Sequence, residues 1–391
     1  MITHFEVRNY KCLEQVAIAL TPVHALVGQN DTGKSSFLEA VYAFCKSADH
    51  PLRECFEGLW TGQELVYDGR EPAVVTLTAT LCLPTPAGDQ FESVQRTLEI
   101  KFLAGGRDPR RQGECFKTGD QPVEVHGGGD RFSGLVREAA ASSKGSGPEF
   151  LSRVRNAISG VHKYHFDPHQ LSLPSALTTA RRFRMEFDGF GLPSLLNDIL
   201  LTSPESFIRL REEFCALFPG FKSLSLRIER GFVRVPTGDG ADLVRTDAGH
   251  DLLFHTTSGR EVRAAAASDG VLLMLALLSL KYLPEPPRTV LLEEPENGLH
   301  PQRLRDLVGF LREMAWSPDK PGGPQFVLSS HSPYLLDELR PEEVTAFVRD
   351  PGQPARAYSL KDSPTLKERL HDFLLGEVIF NEGERALVGG E

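Results

Sequence analysis

Gly28-Gln29-Asn30-Asp31-Thr32-Gly33-Lys34-Ser35 decides the fold of this 391-residue chain. The stretch fits G-x-x-x-x-G-K-[ST], the spacing of a phosphate-binding loop. Successive backbone N–H groups of a glycine-rich turn form an anion nest, and the helix that follows adds its positive end. Lys34 then reaches the β- and γ-phosphates, and the Ser35 hydroxyl coordinates Mg²⁺. The flanks agree with this reading. Residues 23–27 form a short apolar run that ends directly at Gly28. Residues 36–45 carry helical spacing, with Phe37, Leu38, Val41, Tyr42 and Phe44 apolar.

A second stretch lies some 260 residues downstream, Val290-Leu291-Leu292-Glu293-Glu294-Pro295-Glu296-Asn297-Gly298-Leu299-His300-Pro301. An apolar strand that ends in two adjacent carboxylates is unusual, because buried strand ends rarely carry paired charges. Beside a phosphate loop, the first acid, Glu293, holds the metal. The second, Glu294, orients and deprotonates the attacking water.

Two smaller elements complete the set. Ser268-Asp269-Gly270 precedes a ten-residue apolar helix, and a Ser and a Gly at a helix start offer hydroxyl and backbone donors to an anion. Alone, it is an ordinary helix start. Phe326-Val327-Leu328-Ser329-Ser330-His331-Ser332-Pro333 puts a histidine at the C-terminal end of a core strand. Ligands bind there in open α/β sheets, and such a histidine can contact a γ-phosphate.

From Ala264 the pattern is α/β: helix 271–282, strand 289–293, helix 302–314, strand 325–329, helix 333–338 and strand 343–348. This predicts a parallel sheet covered on both faces. Residues 73–83 and 95–102 read as antiparallel strands. Residues 104–149 are loop-forming and poor in apolar side chains. Residues 150–218 read as mainly helical, and 221–260 as strands again. The expected division is 1–103, the first part of the nucleotide-binding core; 104–260, an inserted lobe; and 261–391, the rest of the core.

Composition excludes several classes. The chain is 40% hydrophobic and 25% charged, with a net charge of -10, so any nucleic-acid contact must come from a local patch. Arg107 to Arg111 and Arg181 to Arg184 are the best basic clusters. The six cysteines form no CxxC pair, which argues against a zinc site and a disulfide scaffold. The longest apolar run, 271–280, is half of the ~20 residues that span a bilayer. A cytoplasmic, reduced location is expected, with no membrane partner.

The order of these elements resembles the ABC-type ATPase superfamily, closest to the branch of SMC and RecF-like repair ATPases and OLD-family ATPases. The opening, Ile2-Thr3-His4-Phe5-Glu6-Val7-Arg8-Asn9-Tyr10-Lys11-Cys12-Leu13, is similar to that branch too. The likeness is good over 1–45 and 260–340 and thin over 100–250. It implies an α/β P-loop NTPase, an ABC-type ATPase head with a mixed sheet core and a mainly helical insertion. Gly28, Asn30, Asp31, Thr32, Gly33, Lys34, Ser35 and Ser36 fall in its Walker A motif. Glu293 matches the Walker B acid, where Asp is commoner, and Glu294 the catalytic glutamate. Ser268, Asp269 and Gly270 match the signature, in a form unlike the transporters' LSGGQ. Residues 297–300 fall at the D-loop, His331 matches the switch histidine, and Gln170 is the candidate for the Q-loop.

The resemblance implies a Mg²⁺-dependent ATPase that forms a head-to-tail homodimer around two ATP molecules. DNA, in repair or anti-phage defence, is one candidate partner. A separate nuclease or effector protein is another, because no Toprim nuclease segment follows residue 340. Two competing readings are an energising subunit of a transporter and a regulatory module that binds ATP with little hydrolysis. Co-purification with a membrane protein marks the first. A basal rate that neither DNA nor a partner raises marks the second.

Overall fold

A computed structural model of the chain describes residues 1–56, 58, 62–69, 73–85, 90–103, 108–118, 121–124, 147–177, 183–237, 240–370 and 372–387. They form two compact units. One comprises Met1–Lys163, Pro287–Glu294 and Val308–Glu391. The other comprises Tyr164–Pro286 and Pro295–Leu307.

The first unit holds two sheets. In one, β1 (Ile2–Tyr10) and β2 (Leu13–Ala19) join strands from further along the chain: β4 (Val74–Pro84), β5 (Phe91–Lys101), β6 (Arg110–Thr118) and β7 (Gln121–Glu124). Their order is β2-β1-β4-β5-β6-β7, with antiparallel neighbours. Burial alternates along β4, so one face enters the core. The other sheet runs β16 (Arg356–Ser359), β15 (Val344–Val348), β3 (Val23–Val27), β14 (Gln325–Ser330), β13 (Thr289–Glu293), β8 (Val161–Tyr164). Strands β15, β3, β14 and β13 are parallel. Strands β3, β14 and β15 are buried at every position, so they are mainly apolar, and the polar His24, Gln325, Ser329, Ser330 and Thr345 they contain are buried too.

Helix α1 (Lys34–Lys46) packs against both sheets. Its Phe37 meets Phe5 of β1 edge-on at 5.5 Å and Phe347 of β15 at 5.8 Å. Burying an aromatic of this kind contributes about 1.5–3 kcal/mol. The phosphate loop is thereby held at one end of a helix that cannot shift without breaking the core.

Two sequence expectations need correction here. Residues 110–118, read as part of a loop-forming stretch, form β6. Arg111, read as part of a basic surface cluster, is buried. Glu114 accepts from Arg96 Nε at 2.9 Å and from Arg111 Nη1 at 3.3 Å, and all three side chains are at most 1% exposed. Arg96 also donates to the Phe44 carbonyl at 3.3 Å and to Ser47 Oγ at 3.0 Å, so a cation sits at the C-terminus of α1. A charged residue drawn into a core by its partner is invisible to a composition count. Arg107, Arg181 and Arg182 lie outside the described residues.

The second unit is built on a long hairpin, β10 (Phe221–Thr237) and β11 (Gly240–Thr256), with β9 (Ser175–Ala176) and β12 (Glu261–Arg263). The sequence reading had strands over 221–260 there. Gly231 and Gly249 face each other where residues 175–176 cross the hairpin. A Cβ on Gly249 would lie 2.7 Å from the Ser175 carbonyl oxygen, so only glycine permits the crossing. Helix α2 (Asp269–Lys281) is buried at every position from Val271 to Leu280. Helix α3 (Pro301–Met314) begins in this unit, and its residues from Val308 onward belong to the first.

Candidate nucleotide site

Strand β3 delivers the phosphate loop directly into α1. The loop is glycine-dependent for stated reasons. Gly28 has φ +142°, and a Cβ there would meet the Phe347 carbonyl oxygen at 2.3 Å. Gly33 has φ +106° and caps α1, and Asp31 is left-handed as well at φ +63°. Lys34 is buried. Its Nζ donates to the carbonyls of Gly28 at 2.7 Å and Gln29 at 2.8 Å, so the ammonium lies folded over the loop. Thr32 is buried and its Oγ1 donates to the Gln29 carbonyl at 2.8 Å. Asn30, Asp31 and Ser35 are exposed, and Ser36 is half-buried. Asp31 pairs with Arg349 at 3.2 Å.

The two glutamates and the histidine leave the same edge of the same sheet. Glu293 pairs in register with Ser329, and Ser329 with Leu26. The residues that follow, Glu294, Ser330 and Val27, lead respectively to the acidic turn, to His331 and to Gly28. Parallel strands that end together are what gather these groups. Glu294 has φ +46°, an uncommon conformation for a glutamate, and its N–H donates to the Ser329 carbonyl at 3.0 Å. Its Oε1 lies 3.5 Å from His331 Nε2. Ser332 caps the short helix after the histidine by accepting from Leu335 N–H.

Beside the loop, in the same unit, a cavity of about 660 Å³ is lined by Lys11, Cys12, Ser36, Tyr67, Asp68 and Arg349. Its position next to α1 suits the base and ribose of a nucleotide whose phosphates enter the loop. A Mg²⁺ ion fits the donors present. The Ser35 hydroxyl and Glu293 carboxylate are hard oxygen ligands, and the described residues hold no cluster of three or more His, Cys, Asp or Glu that would cage a metal. Such an ion completes its shell from phosphate oxygens and water, which is the habit of Mg²⁺.

Ser268, Asp269 and Gly270 belong to the second unit. Ser268 occupies the position before α2, and Asp269 lies in its first turn. Residues 297–300 pack on this helix start. A Cβ on Gly298, whose φ is +87°, would lie 3.1 Å from Asp269 Cβ and 3.1 Å from Leu273 Cδ1. Residues 269 and 273 at the helix start and the turn at Gly298 thus lie against each other within that unit. Gln170 accepts from Arg234 Nη2 at 3.0 Å, also in the second unit. The structure therefore groups the phosphate loop, Glu293, Glu294 and His331 in one unit, and 268–270 with 297–300 in the other.

Sequence reasoning missed Lys163. It sits on β8, next to β13, with Nζ 3.3 Å from Glu293 Oε1. The run Val161-His162-Lys163-Tyr164 is short and polar at its centre, and it was absorbed into a helical stretch. The β-branched and aromatic residues at its ends were the available strand signal.

The family described as "AAA domain, putative AbiEii toxin, Type IV TA system" matches residues 140–337, just over half of the chain. The chain belongs to this AAA family. A second model, an AAA ATPase domain, matches residues 1–88 and so contains the phosphate loop. Among solved structures, this AAA-type ATPase is similar to an SMC head bound to the C-winged helix domain of ScpA. The identity is 15%, the match covers 94% of this chain and 99% of that one, and the TM-score is 0.54. It is also similar to an Smc head domain with an extended coiled coil, bound to the C-terminal domain of ScpA derived from Pyrococcus furiosus. That match has 13% identity, 95% and 99% coverage and a TM-score of 0.52. No curated protein matches the chain. At these identities the structural likeness speaks for fold alone: an SMC-head-type P-loop NTPase, as the sequence predicts. No helix among the described residues is long and apolar enough to cross a membrane.

Proposed function

We propose that this AAA-type ATPase binds and hydrolyses Mg-ATP, closes into a homodimer around it, and drives a DNA-associated process in repair or anti-phage defence. The observation that carries this reading is the common edge of β3, β13 and β14, which presents the phosphate loop, two carboxylates and a histidine together. Lys34 leaves the loop carbonyls and takes the β- and γ-phosphates. Ser35 and Glu293 would hold the metal, which would supply positive charge to the transferring phosphoryl group. Glu294 orients the attacking water and accepts its proton. His331, beside Glu294, holds the γ-phosphate and senses its loss. Residues 268–270 supply their helix start to the nucleotide of the partner subunit, and the 297–300 turn packed against them keeps that surface in shape. ATP binding then favours the closed dimer and hydrolysis releases it.

A separate protein takes the output. The SMC heads that share this fold are bound to domains of ScpA, which supports an effector on another chain. Beside the exposed Arg184 of the 181–184 cluster, Arg230 and Arg245 on the hairpin of the second unit are taken as the DNA contact. Both are exposed, and with Pro174, Phe232 and the ion-paired Glu229 and Arg263 they line an open pocket of about 450 Å³. Guanidinium groups and an aromatic face suit a phosphate backbone with an unpaired base.

The test is the mass of Glu294→Gln in solution by light scattering, with and without Mg-ATP. A mass that doubles supports the nucleotide-bound dimer. A monomer in both conditions overturns it, and a dimer in both places assembly outside nucleotide control.

A second reading is a regulatory module that binds ATP with little hydrolysis. ATPase rates with and without DNA or a co-purified partner separate the two: activation supports the motor, and an unchanged rate supports the module.

A further inference from the structure

Lys163 is a buried cation that no step above uses. Its side chain is 4% exposed, that of Glu293 is 17% exposed, and they are 3.3 Å apart. A buried ammonium is held charged by an anion close by, and here that anion is the carboxylate assigned to Mg²⁺. One carboxylate carries one negative charge, and Lys163 already balances it. The other protein donor at the metal position, Ser35, is neutral. The two donors assigned to the metal, counted with Lys163, therefore contribute about zero net charge, too little by themselves to draw a dication out of water. A triphosphate brings the missing negative charge.

We propose that Lys163 makes the metal site conditional on nucleotide: it is a resident counter-charge that keeps free divalent cations off Glu293 until a triphosphate arrives. The metal then enters bound to its phosphates, and the lysine stays on the far side of the carboxylate and fixes its rotamer. This inference rests on the reading of Glu293 as the metal-site acid, and it assigns Lys163 the choice between free metal and metal–nucleotide.

Mn²⁺ alone, titrated into the full chain and followed by the loss of its free six-line electron spin resonance signal, tests this without turnover. Wild type is expected to bind Mn²⁺ weakly without nucleotide and tightly with a non-hydrolysable ATP analogue. Lys163→Met is expected to bind free Mn²⁺ about tenfold more tightly than wild type. Lys163→Arg, which keeps the charge, should behave as wild type. The double variant Lys163→Met/Glu293→Gln should lose the gain. Equal Mn²⁺ affinity in wild type and Lys163→Met overturns the proposal, and so does a gain that survives Glu293→Gln. If Lys163→Met does not fold, Lys163→Gln carries the same comparison. The wild-type arm stands by itself in any case, since tight Mn²⁺ binding at Glu293 without nucleotide overturns the proposal directly. Failure of wild type to bind a fluorescent ATP analogue would instead sink the nucleotide reading beneath it.

Discussion

Glu294 Oε1 lies 3.5 Å from His331 Nε2, and Glu294 is where the backbone turns left-handed as β13 ends. Both side chains are 34% exposed, so they face the mouth of the site and not the core. The left-handed turn carries Glu294 off the strand line, away from the direction that Glu293 takes toward Lys163. The two adjacent carboxylates therefore meet different neighbours, Glu293 meeting Lys163 and Glu294 meeting His331. Replacing Glu294 with Gln should lower ATP turnover by about 10²-fold or more while leaving nucleotide affinity nearly unchanged. Steady-state ATPase and a fluorescent-nucleotide titration measure the two.

The left-handed turn predicts a stability difference. Glu294→Gly and Glu294→Ala remove the same carboxylate, but alanine keeps the left-handed penalty of about 1 kcal/mol and glycine does not. Thermal unfolding should show the glycine variant melting at or above the alanine variant. The reverse order, usual at right-handed positions, would count against a strained Glu294.

Gly28→Ala should abolish nucleotide binding and lower the melting temperature. The new Cβ would lie 2.3 Å from the Phe347 carbonyl oxygen, and backbone must move to admit it. Because β3 and β15 are paired neighbours, the shift propagates into the loop. Nucleotide titration and thermal melting check both effects.

Arg96→Met should cost about 3–5 kcal/mol of stability, because it leaves Glu114 short of a cation inside the core. Adding Glu114→Gln should recover part of that loss. Equilibrium denaturation of the single and double variants gives the coupling.

His24 gives a pH dependence. It is buried and hydrogen-bonded to Thr345 Oγ1 at 2.9 Å and Thr21 Oγ1 at 3.1 Å, and burial pushes its pKa down to about 3 from 6.5. Below pH 6.5 the unfolded chain takes up a proton that the folded chain refuses. Its stabilising effect is thus whole above that pH and is lost as pH falls toward 3, by up to about 1.4 kcal/mol per pH unit. Denaturation at descending pH should show wild type losing stability more steeply than His24→Gln.

For nucleic acid, Arg230→Ala/Arg245→Ala should weaken binding of a single-stranded oligonucleotide and lower the salt slope by about 1.4. Fluorescence anisotropy across a salt series reads this, with nucleotide binding unchanged. An unaltered slope would remove the hairpin from the DNA reading.

Much of the site was legible because its parts are local. The phosphate loop needs glycines at fixed offsets, a lysine and a hydroxyl, with a strand before and a helix after, and all of that lies within some twenty residues. Glu293, Glu294 and His331 are legible for a related reason: each lies at the end of β13 or β14, parallel strands whose buried apolar middle gives way to polar residues. These features were enough to set the fold class and to pick out groups that the parallel strands bring to one edge. Only the tertiary structure decided which charges serve structure and which serve the site. Arg111 was read as a surface charge, and a long-range partner buries it. Lys163 was read as part of a helical stretch, and its pairing beside β13 makes it a neighbour of Glu293. The left-handed turn at Glu294 depends on its hydrogen bond to Ser329, a residue of another strand. Burial, ion pairing and backbone strain are set by residues far apart in the chain, and local patterning carries no information about them.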